Sequence, residues 1–200
     1  MQTIQLSPAD ALLVIDMQVD FLPGGQLGVP GGDAVIEPIN ALMRLFASRS
    51  LPVVASRDWH PENHCSFGAR GGPWPPHCVA DTPGAAFSER LALPEGTLVV
   101  SKADTLDVDA YSAFNGTGLA AQLRERGVER VVVGGLATDY CVLNTVIDAR
   151  EQGFDVIVVR DAVRAVDVAP GDGDRAIARM EALGARTAAL ADVEGVAVPA

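Results

Sequence analysis

The chain has 200 residues, 48% of them hydrophobic, and sets 15 Lys and Arg against 26 Asp and Glu for a formal net charge of −11. That length suits one domain with a full core, and no break in composition marks a second, so residues 1–200 read as a single unit. The acidic balance argues against nucleic acid or a membrane surface as partner, because phosphate groups are bound by clustered Lys and Arg, and it points to a small molecule instead.

Residues 11–15 are a short apolar run closed by Asp16, the pattern of a central parallel strand ending in a polar group. Phe21-Leu22-Pro23-Gly24-Gly25 reads as loop. Asp33 then stands where it can cap a helix to about residue 48, with Val35, Ile36, Ile39, Leu42, Met43 and Phe46 at helical spacing. A second strand over 52–56 runs into Asp58-Trp59-His60. Residues 61–96 are rich in Pro, Gly, Trp and His without a steady period; a connection this long is usually functional or disordered, and its aromatics favour function. A third strand, 97–100, ends at Lys102, and 116–126 reads as a helix. Next comes Val131-Val132-Val133-Gly134-Gly135-Leu136-Ala137-Thr138-Asp139-Tyr140-Cys141, which reads as a buried strand, a sharp turn and a helix to residue 152 with Thr138 as its N-cap. A strand at 155–159, a helix at 174–183 and a last strand at 186–190 complete the alternation. It predicts an α/β fold with a mostly parallel sheet, helices on both faces and Rossmann-like layering. Such sheets bind ligands beyond the carboxyl ends of their strands, where Asp16, Asp58, His60, Lys102 and Cys141 all fall.

A thiol in the first turn of a helix meets free N–H groups and the positive end of the helix dipole, so Cys141 is expected to lean towards thiolate. The same N–H groups can hold an oxyanion. A carboxylate able to take the thiol proton and an ammonium beside the sulfur would complete a nucleophile, and Asp16, Lys102 and Cys141 can form that trio. Singly, each has a plainer reading: a turn cap, a surface charge, a small buried apolar residue. All three histidines, His60, His64 and His77, lie in the irregular segment, and none pairs obviously with Cys141, so aspartate is the more natural base. Together with Asp58 they suit one divalent transition ion such as zinc, iron or manganese, although the spacing is not that of a zinc finger and His64 reads equally as a surface residue. Three cysteines are too few and too odd in number for a disulfide framework. With no secretory leader and no apolar run near the roughly 20 residues that cross a bilayer, a cytoplasmic location is expected, with a homo-oligomer left open.

Five segments carry a resemblance: Val14-Ile15-Asp16-Met17-Gln18-Val19-Asp20-Phe21, Asp58-Trp59-His60-Pro61-Glu62-Asn63-His64-Cys65-Ser66-Phe67, Trp74-Pro75-Pro76-His77-Cys78-Val79, Asp109-Ala110-Tyr111-Ser112-Ala113-Phe114 and Gly135-Leu136-Ala137-Thr138-Asp139-Tyr140-Cys141-Val142. Nearly end to end, the chain resembles the nicotinamidase/pyrazinamidase branch of the isochorismatase-like cysteine hydrolases. The resemblance implies Asp16, Lys102 and Cys141 as a catalytic triad and Asp58, His60 and His77 as ligands of a divalent metal. It implies a cis peptide between Leu136 and Ala137, with the N–H groups of Ala137 and Cys141 facing an oxyanion. Phe21 and Trp74 correspond to aromatics that sandwich a flat ring, with Tyr111 and Leu136 as further substrate contacts. Val19 departs from the usual Asn, and Ser66 stands where some relatives have a further histidine ligand, so its hydroxyl is expected to hold a metal-bound water. The expected activity is hydrolysis of nicotinamide to nicotinate and ammonia through a cysteine thioester, with pyrazinamide also accepted. The alternatives are a hydrolase of the same superfamily acting on another small amide or carbamoyl compound, and a silent ligand-binding or metal-storage protein. Isochorismate-type ether cleavage is disfavoured, since those relatives lack the cysteine.

Overall fold

The apolar run that opens the chain becomes the middle of a sheet. A computed structural model describes residues 3–196, with the elements β1 (Asp10–Ile15), α1 (Ile36–Ser48), β2 (Val53–Asp58), β3 (Leu98–Lys102), α2 (Leu119–Glu125), β4 (Arg130–Leu136), α3 (Leu143–Glu151), β5 (Asp155–Arg164), α4 (Asp172–Ala182) and β6 (Arg186–Ala188). The strand order is β3-β2-β1-β4-β5-β6, and every neighbouring pair is parallel. All six residues of β1 are buried, which is why residues 11–15 read as a continuous apolar run rather than an alternating one.

The pleat of β1 sends alternate side chains into two cores. Leu12 and Val14 meet Ile36, Ile39, Leu42, Met43 and Phe46 of α1 on one face. Ala11, Leu13 and Ile15 meet Leu119 and Leu123 of α2, Val146 of α3 and Ile177 and Met180 of α4 on the other. From β1 the chain winds outward to β2 and β3, then returns to β4 and winds the other way. The reversal lies between β1 and β4, so the crevice of this doubly wound sheet opens above their carboxyl ends.

Local chemistry shifts several boundaries. Asp33 does not cap α1: it sits in a short 3-10 turn, Gly32–Val35, that follows left-handed Gly31 at φ 66°, and the helix starts afterwards with no side-chain cap. Gly116 and Gly118 are left-handed, which delays α2 to Leu119. α4 begins two residues early, at Asp172, directly after left-handed Gly171. Ala188 ends β6 because Leu190–Asp192 forms a 3-10 turn. β5 is about twice its expected length: past a register shift between Val133 and Gly135 it continues beside β4, with Val163 opposite Gly135 and Arg164 opposite Leu136. Exposed Arg160 and Asp161 interrupt its apolar pattern and hide that extension. Among the described residues no helix is long and apolar enough to cross a membrane.

Candidate active site

β1, β3 and β4 each deliver one reactive side chain to the crevice. Asp16 follows β1 directly, Lys102 closes β3, and Cys141 lies in the turn after β4. The ammonium of Lys102, buried in full, ion-pairs with both Asp16, at 3.0 Å, and Asp58, and stands 3.6 Å from the Cys141 Sγ. It also donates to the Ala110 carbonyl at 3.4 Å, and the Ser56 hydroxyl donates to Asp16 Oδ1 at 2.7 Å. Ligand atoms of Asp16, Asp58 and Cys141 lie close enough together to hold a cation, and the Lys102 ammonium is that cation.

Burial decides the protonation of this group. It pushes the Cys141 thiol well above its usual range; Lys102 opposes the shift, and the Asp16 and Asp58 carboxylates add to it. Burial likewise raises Asp16, against Lys102 and with Asp58. Burial works against the Lys102 ammonium as well, but Asp16 and Asp58 outweigh it and hold its pKa well above the ordinary value. The resting sulfur is therefore a thiol beside a basic carboxylate, not the thiolate that a helix N-terminus alone suggests. The turn differs from expectation too. Thr138 is not the N-cap: Ala137 takes that position, and its carbonyl accepts from the N–H groups of Tyr140 and Val142, both at 3.1 Å. Residues Thr138–Val142 form a single widened π turn before α3, so Cys141 sits in an irregular turn rather than in the first turn of a regular helix. The Leu136–Ala137 peptide is cis.

Beside the thiol, Asp58, His60 and His77 bring one ligand atom each to within 4.8 Å of the others, and all three are buried. His60 Nδ1 faces the Ala103 carbonyl at 3.3 Å and His77 Nδ1 faces the Pro75 carbonyl at 2.8 Å, an arrangement that protonates Nδ1 and leaves Nε2 with its lone pair. The His60 Nε2 is buried, has no hydrogen-bond partner and lies 3.6 Å from Asp58 Oδ2. Burial lowers the His77 pKa, which favours the neutral imidazole. Burial alone would raise Asp58, but Lys102 and His60 outweigh it and keep the carboxylate ionised. Two neutral imidazoles and one carboxylate with an orphaned nitrogen are a fitting donor set for a divalent transition ion.

The structure moves His64 off the surface. It is fully buried, its ring centroid 4.3 Å from that of His60, and both its nitrogens are engaged, Nδ1 with the Ser66 hydroxyl at 2.7 Å and Nε2 with the Val108 carbonyl at 3.0 Å. The carbonyl fixes the proton on Nε2, so Ser66 is the donor to Nδ1. Ser66 is thus held by a neighbouring histidine, with the lone pairs of its oxygen left as acceptors.

A cavity of about 300 Å³ opens above the thiol, and Phe21, Trp74, Tyr111, Leu136, Ala137, Asp58, His77 and Cys141 all line it. Trp74 Nε1 donates to the Tyr111 hydroxyl at 3.0 Å, and the Trp74 ring meets Tyr140 edge-on at 5.4 Å. Tyr140, Gln26 and Val166 also line the cavity and were missed in the sequence. Tyr140 adjoins Cys141 and was findable; Val166 comes from just past the unforeseen half of β5.

Residues 10–193 match the model of the isochorismatase domain. The chain is 40% identical to the nicotinamidase of Escherichia coli, over 94% of this chain and 98% of that one, and 38% identical to the nicotinamidase/pyrazinamidase of Mycobacterium tuberculosis, over 90% and 96%. Among solved structures, the pyrazinamidase of Pyrococcus horikoshii in complex with zinc superposes with a TM-score of 0.87 at 49% identity, covering 91% of this chain and 99% of that one. The PnC1 protein of L. infantum in complex with nicotinate superposes with a TM-score of 0.87 at 39% identity, covering 96% and 98%. With the domain model spanning nearly all of the described residues and relatives matched over almost their full length, the chain belongs to the isochorismatase family.

Proposed function

We propose that this protein is a nicotinamidase, an amide hydrolase that converts nicotinamide to nicotinate and ammonia and also accepts pyrazinamide. The observation that carries this reading is a thiol that lines an aromatic-walled cavity and is backed by a basic carboxylate and a buried ammonium, with a nitrogen-rich donor set beside them. The relatives named above act on or bind compounds of this class.

Asp16 takes the proton from the Cys141 thiol as the sulfur attacks the carboxamide carbon, and Lys102 offsets the negative charge that passes between them. The backbone N–H groups of Ala137 and Cys141 hold the tetrahedral oxyanion. Asp16 then returns the proton to the departing nitrogen, ammonia leaves, and the acyl group stays on sulfur as a thioester. A water that gives its proton to Asp16 releases nicotinate and restores the thiol. Phe21 and Trp74 flank the flat ring, with Tyr111 and Leu136 closing the cavity around it. Asp58, His60 and His77 would hold one divalent ion, which we assign as zinc rather than iron or manganese on the parallel with the zinc complex of the P. horikoshii pyrazinamidase, and when bound it would supply a Lewis acid for the ring nitrogen's lone pair. Ser66, its hydroxyl held by His64, would orient a water beside that ion. The three cysteines are free, as suits the cytoplasm.

Other family members act on other amides. A maleamate amidohydrolase of Pseudomonas putida is 35% identical over 81% of this chain. Among the described residues the cavity lining contains no Lys or Arg, so no side-chain cation of the lining would pair with the carboxylate of an acidic amide. The test is ammonia release from nicotinamide, pyrazinamide and benzamide at equal concentration with zinc-replete enzyme. Both azine amides should turn over, and benzamide, which lacks the ring nitrogen, far more slowly. Benzamide turning over as fast as nicotinamide would remove the basis of the assignment.

A further inference from the structure

Gln18 is fully buried just past β1, touches neither the cavity nor the thiol, and has no part in the chemistry above. Its carboxamide lies along the main chain of Asp58. Oε1 accepts from the Asp58 N–H at 2.8 Å, while Nε2 donates to the Asp58 carbonyl at 2.7 Å and to the Ala85 carbonyl at 2.9 Å. The register of the sheet explains the arrangement. β1 pairs with β2 only as far as Ile15 opposite Ser56, whereas β2 runs on beside β3 until Asp58 faces Lys102. On its β1 side the main chain of Asp58 has therefore outrun its partner strand, and two buried backbone groups need replacements. The side-chain amide of Gln18 supplies an N–H and a C=O in the places where another residue of β1 would offer its own.

Asp58 is also where two demands meet. One carboxylate oxygen pairs with Lys102, and the other points toward the His60 Nε2. We propose that Gln18 is a positioning residue for Asp58, holding that carboxylate in register with the two histidines so that metal affinity depends on a side chain that is neither ligand nor substrate contact. The inference rests on the reading of Asp58, His60 and His77 as the metal set.

Two substitutions separate positioning from bulk. Gln18→Met keeps the volume and loses all three hydrogen bonds. Gln18→Glu keeps the shape and one acceptor but turns an oxygen towards two carbonyls. Asn40→Leu is the matched control, since buried Asn40 makes a similar bridge, donating to the Arg90 carbonyl at 3.0 Å and accepting from the Ala92 N–H at 2.9 Å, away from the site. Zinc affinity is read by competition with a chromogenic chelator on protein verified as folded by circular dichroism. Both Gln18 variants should bind zinc roughly 10–100-fold more weakly, the loss typical when the group orienting a ligand is removed, and Asn40→Leu should bind it as the unaltered protein does. A folded Gln18 variant with unchanged zinc affinity overturns the inference. So does an equal loss in Asn40→Leu, and so does failure of both Gln18 variants to fold, which would make the role purely structural. If the unaltered protein takes up no zinc, the metal reading itself falls.

Discussion

On the proposed mechanism Cys141 starts as a thiol, its pKa raised by burial, and Asp16 is the carboxylate that activates it. Asp16 stands in the left-handed region, at φ 48°, where Asn is well tolerated and most residues are not. Asp16→Asn therefore removes the base with little disturbance of the backbone. It should lower kcat for ammonia release by roughly 10²–10⁴-fold, the range for general acid–base catalysis, while zinc content stays the same. Cys141→Ala should abolish ammonia release altogether and leave the circular dichroism spectrum unchanged; measurable turnover in that variant would rule out a thioester. That Asp16, Lys102 and Cys141 gather at one end of the sheet was legible in the sequence, because Asp16 and Lys102 close apolar runs and Cys141 follows one within a turn. Gln18 was not, because its contacts are set by β2 running two residues past its last pairing with β1, and register cannot be read from one strand at a time. His64 misled for a related reason: polar residues in a loop read as exposed until the carbonyl and hydroxyl that satisfy them are known.

At the scale of elements, β4 and the turn beyond it do most to place the thiol. Gly135 has φ 129°, and a side chain there would run into the main chain of Ile15, so the close approach of β4 to β1 at the mouth of the crevice depends on a missing Cβ. Gly135→Ala should destabilise the protein by more than the about 1–3 kcal/mol of backbone strain alone, because the steric conflict adds to it; the urea midpoint of unfolding measures this. A midpoint equal to that of the unaltered chain would mean that the two strands can separate at no cost. The two glycines in Val133-Gly134-Gly135-Leu136 were read as a sharp turn that ends the strand, whereas β4 runs through both of them to Leu136 and only its register with β5 shifts, between Val133 and Gly135. The widened turn at Thr138–Val142 was read as an ordinary capped helix, because Thr138 is a good cap residue by type and only the path of the backbone shows that Ala137 holds the place.

Taken whole, the molecule gathers its site from segments that are remote in sequence, and the proposed metal would tie two of them together: the end of β2 with His60 just beyond it, and His77 in the long connection. An ion that binds only the folded chain stabilises it by about 2.7 kcal/mol when present at 100 times its Kd. Chelation should therefore lower Tm as well as abolish ammonia release, and zinc should restore both; a Tm indifferent to chelator would show that the loop is held without the ion. The doubly wound order was legible as alternation of strand and helix, but the position of the reversal was not, since nothing in either strand's own residues names its neighbour. That reversal also governs how the protein must come into being. Asp10 of β1 lies against Arg130 of β4, partners separated by more than half the chain. Closing so long a loop costs entropy before any contact repays it, which makes parallel sheets of this kind slow to fold. Asp16 and Cys141 consequently meet only when the two halves of the sheet join, so a chain emerging during synthesis has no reactive centre until β4 has been made, and its first half alone has none at all.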